Sequence, residues 1–475
     1  MAISGKKTVD TPCEAYNDMQ THWGLIDALL GGTLAMRAVG ETYLPKEPKE
    51  DSLSYRNRLD RSILYTAYED TVDDLVGRPF SKPVSLQGEL PESLAMLKDN
   101  CDGLGSDITQ FAREVFTTCL NRGLTHILVD VPKTANADGS IMTKAAEKRA
   151  GVRPYFVHIK PEQLIGWKSG VGTDGKPVLT QIRWRESKTV DDGGYGTKEV
   201  ETIRVYTQST WEIHTRDEKN EYALTESGAH SYPGIPLVTC YIKKDAVMTG
   251  KPALEGLAWM NLAHWQSYSD QKNILRFARS ALLFFSGLTD DEMQKEVVIG
   301  PSRTFKATNP DADAKYVEHT GKAIEAGRQD VLDIEERMTV LGLEPLLSRP
   351  GNQTATGQSI DEAKSQSSIQ AWIRSEELAI YTAFSMAAMW MGETLPDDFR
   401  ADIYNDFGVS IRATADIEAL LKMRQAGEID RETFLREVKR RAVLSESVDV
   451  DDVIAKVEAE GPNFSLAGFG AGGVE

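Results

Sequence analysis

The sequence predicts an α+β chain in which helices at both ends enclose a strand-rich centre. Three observations carry that prediction. Apolar residues recur at helical spacing through much of the first 122 residues. Between Leu124 and Ile242 the texture changes to short runs of β-branched and aromatic residues, broken by Asp-Gly and Gly-Gly turns. From Leu254 onward helical spacing returns and dominates.

Residues 12–39 read as helix, opened by Pro12 and interrupted at Gly31-Gly32, and a Pro-rich connector follows at Pro45 and Pro48. A second helix is expected from Ser52 to Val76, with Leu53, Leu59, Ile63, Tyr65, Val72 and Leu75 near helical spacing and Gly77 as its stop. A third runs from about Ser106 to Arg122, capped by Ser106 or Asp107 and ended by Gly123. Strands are expected at 125–131, 153–160, 178–186, 199–207 and 211–215, their spacing suggesting an antiparallel sheet, with 133–152 as a polar insertion. Helix returns over 254–279, with Asn, Gln and Ser along one side, and a strand-and-turn segment over 282–320 includes 296–299 and 314–318. In the next helix, 322–342, Ile324, Gly327, Val331, Ile334, Met338 and Leu341 alternate at steps of three and four. They form a narrow heptad-like seam with the acids largely off it. A loop over 344–357 leads into a long helix, 358–391, carrying Ile360, Trp372, Ile373, Leu378, Tyr381 and Phe384. A strand at 407–411 and three short helices over 414–459 follow, Asp430 and Thr433 opening the second and Asp449–Asp452 the third. The Gly-rich tail from 461 reads as disordered.

The 475 residues leave room for roughly three ordinary domains or one elongated subunit of several modules. Hydrophobic residues at 41% are enough for a real core. A net charge of −18 is the wrong sign for a protein that grips DNA by neutralising phosphates; charge alone favours an ordinary acidic cytoplasmic protein, and one that meets DNA would let the polyanion slide past. Cys13, Cys101, Cys119 and Cys240 stand far apart with no C-x-x-C pair, against a zinc site or a disulfide framework, and fit a reducing cytoplasm. Neither a signal-peptide pattern nor a run of about 18 apolar residues occurs, so no membrane partner is expected.

The search for chemistry finds little. Gly170-Val-Gly-Thr-Asp-Gly175 fits the dinucleotide pattern G-x-G-x-x-G, but a strand follows it where the pyrophosphate site needs a helix N-terminus, so a hairpin turn is the better reading. No Walker-type phosphate loop and no nucleophile elbow occur. His22, His126, His158, His214, His230, His264 and His319 form no i, i+4 pair, and His126 and His158 read as ordinary sheet residues. The acid pairs at 73–74, 191–192, 290–291 and 451–452 read as caps and solvated surface. Arg436, Lys439, Arg440 and Arg441 end a helix, where cations complement its dipole; contact with DNA phosphate is the sharper alternative. Catalytic residues, cofactor and metal are therefore not expected.

Several phrases stand in a recognisable order. Tyr55-Arg-Asn-Arg-Leu59 leads to Thr71-Val-Asp-Asp-Leu-Val-Gly-Arg-Pro-Phe-Ser-Lys-Pro83, and Asn121-Arg-Gly-Leu124 runs into Ile127-Leu-Val-Asp-Val-Pro132. Pro161-Glu-Gln-Leu-Ile-Gly-Trp167, Gly234-Ile-Pro-Leu-Val238 and the helical run Asn261 to Leu275 follow. Together they resemble the portal proteins of tailed bacteriophages, in particular a portal-like family once catalogued only as a domain of unknown function. The resemblance implies the portal fold: an α/β wing, a two-helix stem, a small β clip, a tunnel loop with a long helix, and a short helical crown. It places the wing at 1–253, stem helices at 254–281 and 322–343, the clip at 282–321 and the tunnel loop at 344–357. The long helix and wing return take 358–413, the crown 414–460 and the tail 461–475.

Such a chain is expected to be non-enzymatic. It would form a homododecameric ring of about 12 copies at one capsid vertex of the virion, after assembly in the host cytoplasm. Its expected partners are double-stranded DNA passing through the channel, the terminase large subunit, a head–tail adaptor and the major capsid protein. By the same resemblance Ser348, Arg349, Asn352 and Gln353 lie on the loop nearest the DNA, and Glu325, Asp333 and Glu336 help line the channel. The rival readings are another virion ring protein such as a head–tail adaptor, a passive scaffold, and a cytoplasmic α+β enzyme using Asp130 or Asp174 at a strand end.

Overall fold

The computed structural model describes residues 8–132, 152–172, 175–217, 219, 221–230, 232–279, 282–287, 309–317, 322–343, 368–405, 420–440 and 453–454. Two compact units are present, Met1–Tyr404 and Asn405–Glu475. Helix and strand are mixed, as an α+β chain requires.

The first unit begins with α1 (Glu14–Gln20), α2 (Trp23–Leu30) and α3 (Gly32–Val39), broken at Thr21-His22 as well as at the anticipated Gly31. The single helix expected over Ser52–Val76 is instead two, α4 (Ser52–Leu59) and α5 (Ala67–Gly77). Side chains take the backbone groups that a continuous helix would use. Thr33 Oγ1 accepts from the Leu64 amide at 3.1 Å, and Asn261 accepts from the Tyr68 amide while donating to the Tyr65 carbonyl. Leu53, Ile63 and Tyr65 are consequently exposed. Strand β1 (Ser85–Gln87) comes next, then α6 (Ile108–Arg122), with Asp107 as its N-cap and Gly123 as its left-handed stop.

Two antiparallel sheets follow. β2 (Leu124–Asp130) is central in a three-stranded sheet between β3 (Tyr155–Ile159) and β9 (Leu237–Tyr241). β4 (Gly166–Val171), β5 (Pro177–Asp191), β6 (Thr197–Thr207), β7 (Thr210–Arg216) and β8 (Tyr222–Ala229) make a five-stranded meander. A small hairpin, β10 (Lys244–Ala246) with β11 (Thr249–Gly250), completes the region. Alternation along β2 sorts its side chains. Leu128, with Ile159 and Leu237 beside it, packs against Ile182, Trp184 and Tyr206 of the meander. Thr125, Ile127 and Val129 share the other face with His158, Phe156, Val238 and Cys240, and that face lies under helices. Every β2 residue is buried, as expected of a strand covered on both sides.

The helices covering the sheet are α6 and, later in the chain, the helix Ser368–Met391. After the sheets come α7 (Glu255–Arg279), the antiparallel strands β12 (Leu282–Ser286) and β13 (Asp313–Val317), and α8 (Lys322–Leu343). α9 (Ser368–Met391) then lies on the three-stranded sheet, its Phe384 ring 5.2 Å from that of Phe156. β14 (Arg400–Asp402) returns to pair with β1. The start of the long helix expected at 358, the insertion at 133–151 and the segment 296–299 lie outside the described residues, as does the strand at 407–411.

In the second unit residues 420–425 and Arg431–Arg440 are helical. Asp430 caps the latter, accepting from the Thr433 amide at 2.8 Å and the Thr433 hydroxyl at 2.6 Å. Asp449–Asp452 and the tail from 461 lie outside the described residues.

Candidate functional site

Within 255–343 the described residues form a helix, an antiparallel pair of strands and a second helix. His264 of α7 meets Glu335 of α8 at 3.1 Å, and Gln271 donates to the Ile324 carbonyl at 2.8 Å. Rising numbers on one helix meet falling numbers on the other, so α7 and α8 are antiparallel. The seam read from the sequence is the packed one: Val331, Ile334 and Met338 are buried, and Gly327 admits the Gln271 side chain, which a Cβ there would meet at 2.3 Å. α7 contributes Leu257, Ala258, Leu262 and Trp265 to the core, with Asn261, His264, Ser269 and Gln271 buried among them. These polar residues are tied across elements, Ser269 to Ser62 at 2.8 Å and Asn261 to the break between α4 and α5.

At about 100° per residue, Glu325, Asp333 and Glu336 fall opposite the seam, and all three are exposed. Glu325 lies 3.7 Å from Arg328, and Asp333 accepts from Gln329 at 2.6 Å. The same outward face carries Leu332, Val340 and Leu343, also exposed, so it is acidic toward its start and apolar toward its end. The heptad reading located the seam but not this mixture.

Ser348, Arg349, Asn352 and Gln353 lie outside the described residues. Arg436, Lys439 and Arg440 belong to the helix Arg431–Arg440; their side chains, and the whole of Arg441, lie outside the described residues.

The Gly170–Gly175 stretch is the connection between β4 and β5, closed by Gly172 N donating to the Lys176 carbonyl at 2.8 Å. No helix follows it. Asp130, the candidate acid of the enzyme reading, is a structural hub: it accepts from the Tyr206 hydroxyl, the Tyr155 hydroxyl, Arg204 and the Val131 amide. Burial, with the Asp130 charge adding to it, pushes the Tyr155 phenol up to about 12. Asp174 and His319 lie outside the described residues. The other six histidines each have a polar partner: Glu255 for His22, Thr239 for His126, Thr125 for His158, Glu212 for His214, the Thr207 carbonyl for His230 and Glu335 for His264. Burial, with the nearby His158 secondary, lowers His126 to about 3, so its ring is neutral between the sheets. His158, its Nδ1 3.4 Å from the carboxylate, holds Glu114 down at about 2, with Lys160 acting in the same direction. Among the described residues no three His, Cys, Asp or Glu side chains could hold a metal together, and no helix is long and apolar enough to cross a membrane.

A family model described as a domain of unknown function (DUF4055) matches residues 253–391. The matched span runs from just before α7 to the end of α9 and so takes in α7, β12, β13 and α8. No curated protein matches the chain. Among solved structures, a chain from the virion of a native gene transfer agent particle is similar at a TM-score of 0.42 and 11% identity, over 84% of this chain and 96% of that one. A chain from the neck of an empty gene transfer agent particle, computed with C6 symmetry, is similar at 0.42 and 10%, over 81% and 92%. One from the neck of a native particle, computed with C12 symmetry, is similar at 0.39 and 13%, over 84% and 96%.

Proposed function

We propose that this chain is the subunit of a portal ring, a conduit for double-stranded DNA at one vertex of a phage-type capsid. The observation that carries the proposal lies within 255–391: two antiparallel helices, a pair of antiparallel strands between them in chain order, and a long helix lying back on the wing sheet. That order matches the stem, clip and long helix of the family whose phrases the sequence resembles. The outward acids of α8 support the conduit reading: carboxylates facing a phosphate backbone repel it and form no lasting ion pairs, so a duplex moves past.

In this reading Glu325, Asp333 and Glu336 line the channel, and Ser348, Arg349, Asn352 and Gln353 sit on the loop nearest the DNA. The ring is homododecameric, about 12 copies closed by a cyclic symmetry axis. The clip offers itself to the terminase large subunit during packaging and to a head–tail adaptor afterwards, and the wing meets the major capsid protein. Chemistry of translocation belongs to the terminase. Reversing the three acids together (E325K, D333K, E336K) should leave ring formation intact and slow packaging several-fold, because a cationic wall grips phosphate. Arg349→Ala should alter DNA retention in assembled particles without loss of rings. Unchanged packaging with the reversed acids would remove their channel role, and loss of the ring would make them assembly residues instead.

A further inference from the structure

Glu376 sits where a carboxylate has no business being. It lies on α9 in line with Ile369, Ile373, Ile380, Ala383 and Ala387, the face that packs on the three-stranded sheet. It is 0% exposed, and neither carboxyl oxygen has a hydrogen-bond partner among the described residues. Directly opposite, at about 180° around the helix, stand Leu378, Tyr381 and Met389, which are 64%, 41% and 52% exposed. The helix thus turns an acid inward and a leucine, a tyrosine and a methionine outward.

Among the described residues the groups that act on the Glu376 carboxyl are its burial, Cys240 and Glu377, none of them a cation. β3 presents His158 to the same face, where it is tied to Thr125 and lies 3.4 Å from Glu114 of α6. β9 presents Cys240, and α6 contributes Cys119, whose thiol lies 3.4 Å from the Cys240 carbonyl. β2 presents Thr125, Ile127 and Val129 to this face, while His126 lies on the other side of the sheet. β14 carries Arg400 and Asp402, and along α9 itself stand Glu377, whose carboxylate accepts from the Ile403 amide at 2.9 Å, and the exposed Arg374. The nearest charged neighbour on its own helix is thus another acid.

We propose that the seating of α9 on the three-stranded sheet is proton-linked: the helix is held while the Glu376 carboxyl is neutral and is loosened once it ionises. A neutral carboxyl in an apolar seat lacks only its hydrogen bonds, whereas an ionised one lacks a counter-charge as well. Burial accordingly pushes the Glu376 carboxyl well above the usual range, with the Cys240 thiol and Glu377 acting in the same direction. The seated state keeps a proton that the released state gives up. Below the ordinary carboxyl range both states are protonated and the seat is at full strength. As pH rises toward the elevated value the released state gains, and stability falls.

Cys119 and Cys240, buried beneath α9, report the change. The purified full chain and Glu376→Gln are exposed to a small neutral maleimide between pH 6 and 9, and labelling at the two thiols is followed by mass spectrometry. Comparison at each pH cancels the thiols' own titration. Each protein's rates are normalised to its own rate at pH 6, where the released state has already given up its proton. The native chain should then draw ahead, by at most about tenfold per pH unit, the limit for one linked proton. Matching rates throughout would overturn the proposal. Should Glu376→Gln fail to fold, amide exchange in the native chain serves, corrected for its intrinsic pH dependence. Protection over 368–391 should fall with pH relative to β5 and β6; constant relative protection would equally overturn it.

Discussion

Gly123 shows how much one residue decides. It closes α6, donating to the Cys119 carbonyl at 2.7 Å, and its own carbonyl accepts from the amides of Ile242 and Lys243. Its φ is +87°, and a Cβ there would stand 2.1 Å from the Lys251 carbonyl oxygen. Gly123→Ala should therefore lower stability by about 2 kcal/mol or more in urea unfolding. Its role as a stop could be read from residue type and position alone, which also narrowed the cap to Ser106 or Asp107. His126 is different: a histidine in a strand gives no sign of whether it is wet or dry. Buried neutral at about 3, it stays unprotonated where the unfolded chain takes up a proton. It should therefore erode stability as pH falls from about 6.5 toward 3. His126→Gln should flatten that part of the profile in thermal unfolding, and an unchanged slope would contradict the assignment. Glu376 was legible in principle, because an acid in phase with Ile373 and Ile380 breaks the apolar stripe. Seeing it required knowing which face of α9 is buried, and the exposed Leu378 and Tyr381 point the wrong way.

Among elements, the α7–α8 pair is the one whose sequence says most. Alternating steps of three and four identify the seam before any coordinates, and Val331, Ile334 and Met338 are its buried members. Met338→Ala should cost about 2–5 kcal/mol, whereas Glu336→Gln on the far face should change stability by less than about 0.5 kcal/mol. Equilibrium denaturation of both variants checks the contrast, and equal losses would refute the orientation of α8. Other elements were hidden for stated reasons. The break between α4 and α5 depends on Thr33 and Asn261, which are distant in sequence, so local periodicity suggested one helix. β8 is mostly exposed and polar and gives no apolar alternation. The pairing of β1 with β14 joins residues more than three hundred positions apart, and each strand is only three residues long.

For the molecule as a whole, the α+β order is legible because texture changes are long. The sandwiching of the three-stranded sheet between the meander and two helices is not, because it depends on β2 being buried on both faces. Charge belongs to this scale too. A net −18 per subunit accumulates around any ring, so assembly should weaken at low ionic strength and strengthen as salt screens the repulsion. Sedimentation of the purified chain across a salt series checks this, and rings that dissociate as salt rises would contradict it. The central claim is that copies of this chain close around a channel. Negative-stain electron microscopy of the purified protein tests it most directly. The account predicts closed rings with a central hole wide enough for a DNA duplex; compact monomers or dimers at every concentration and salt would contradict it.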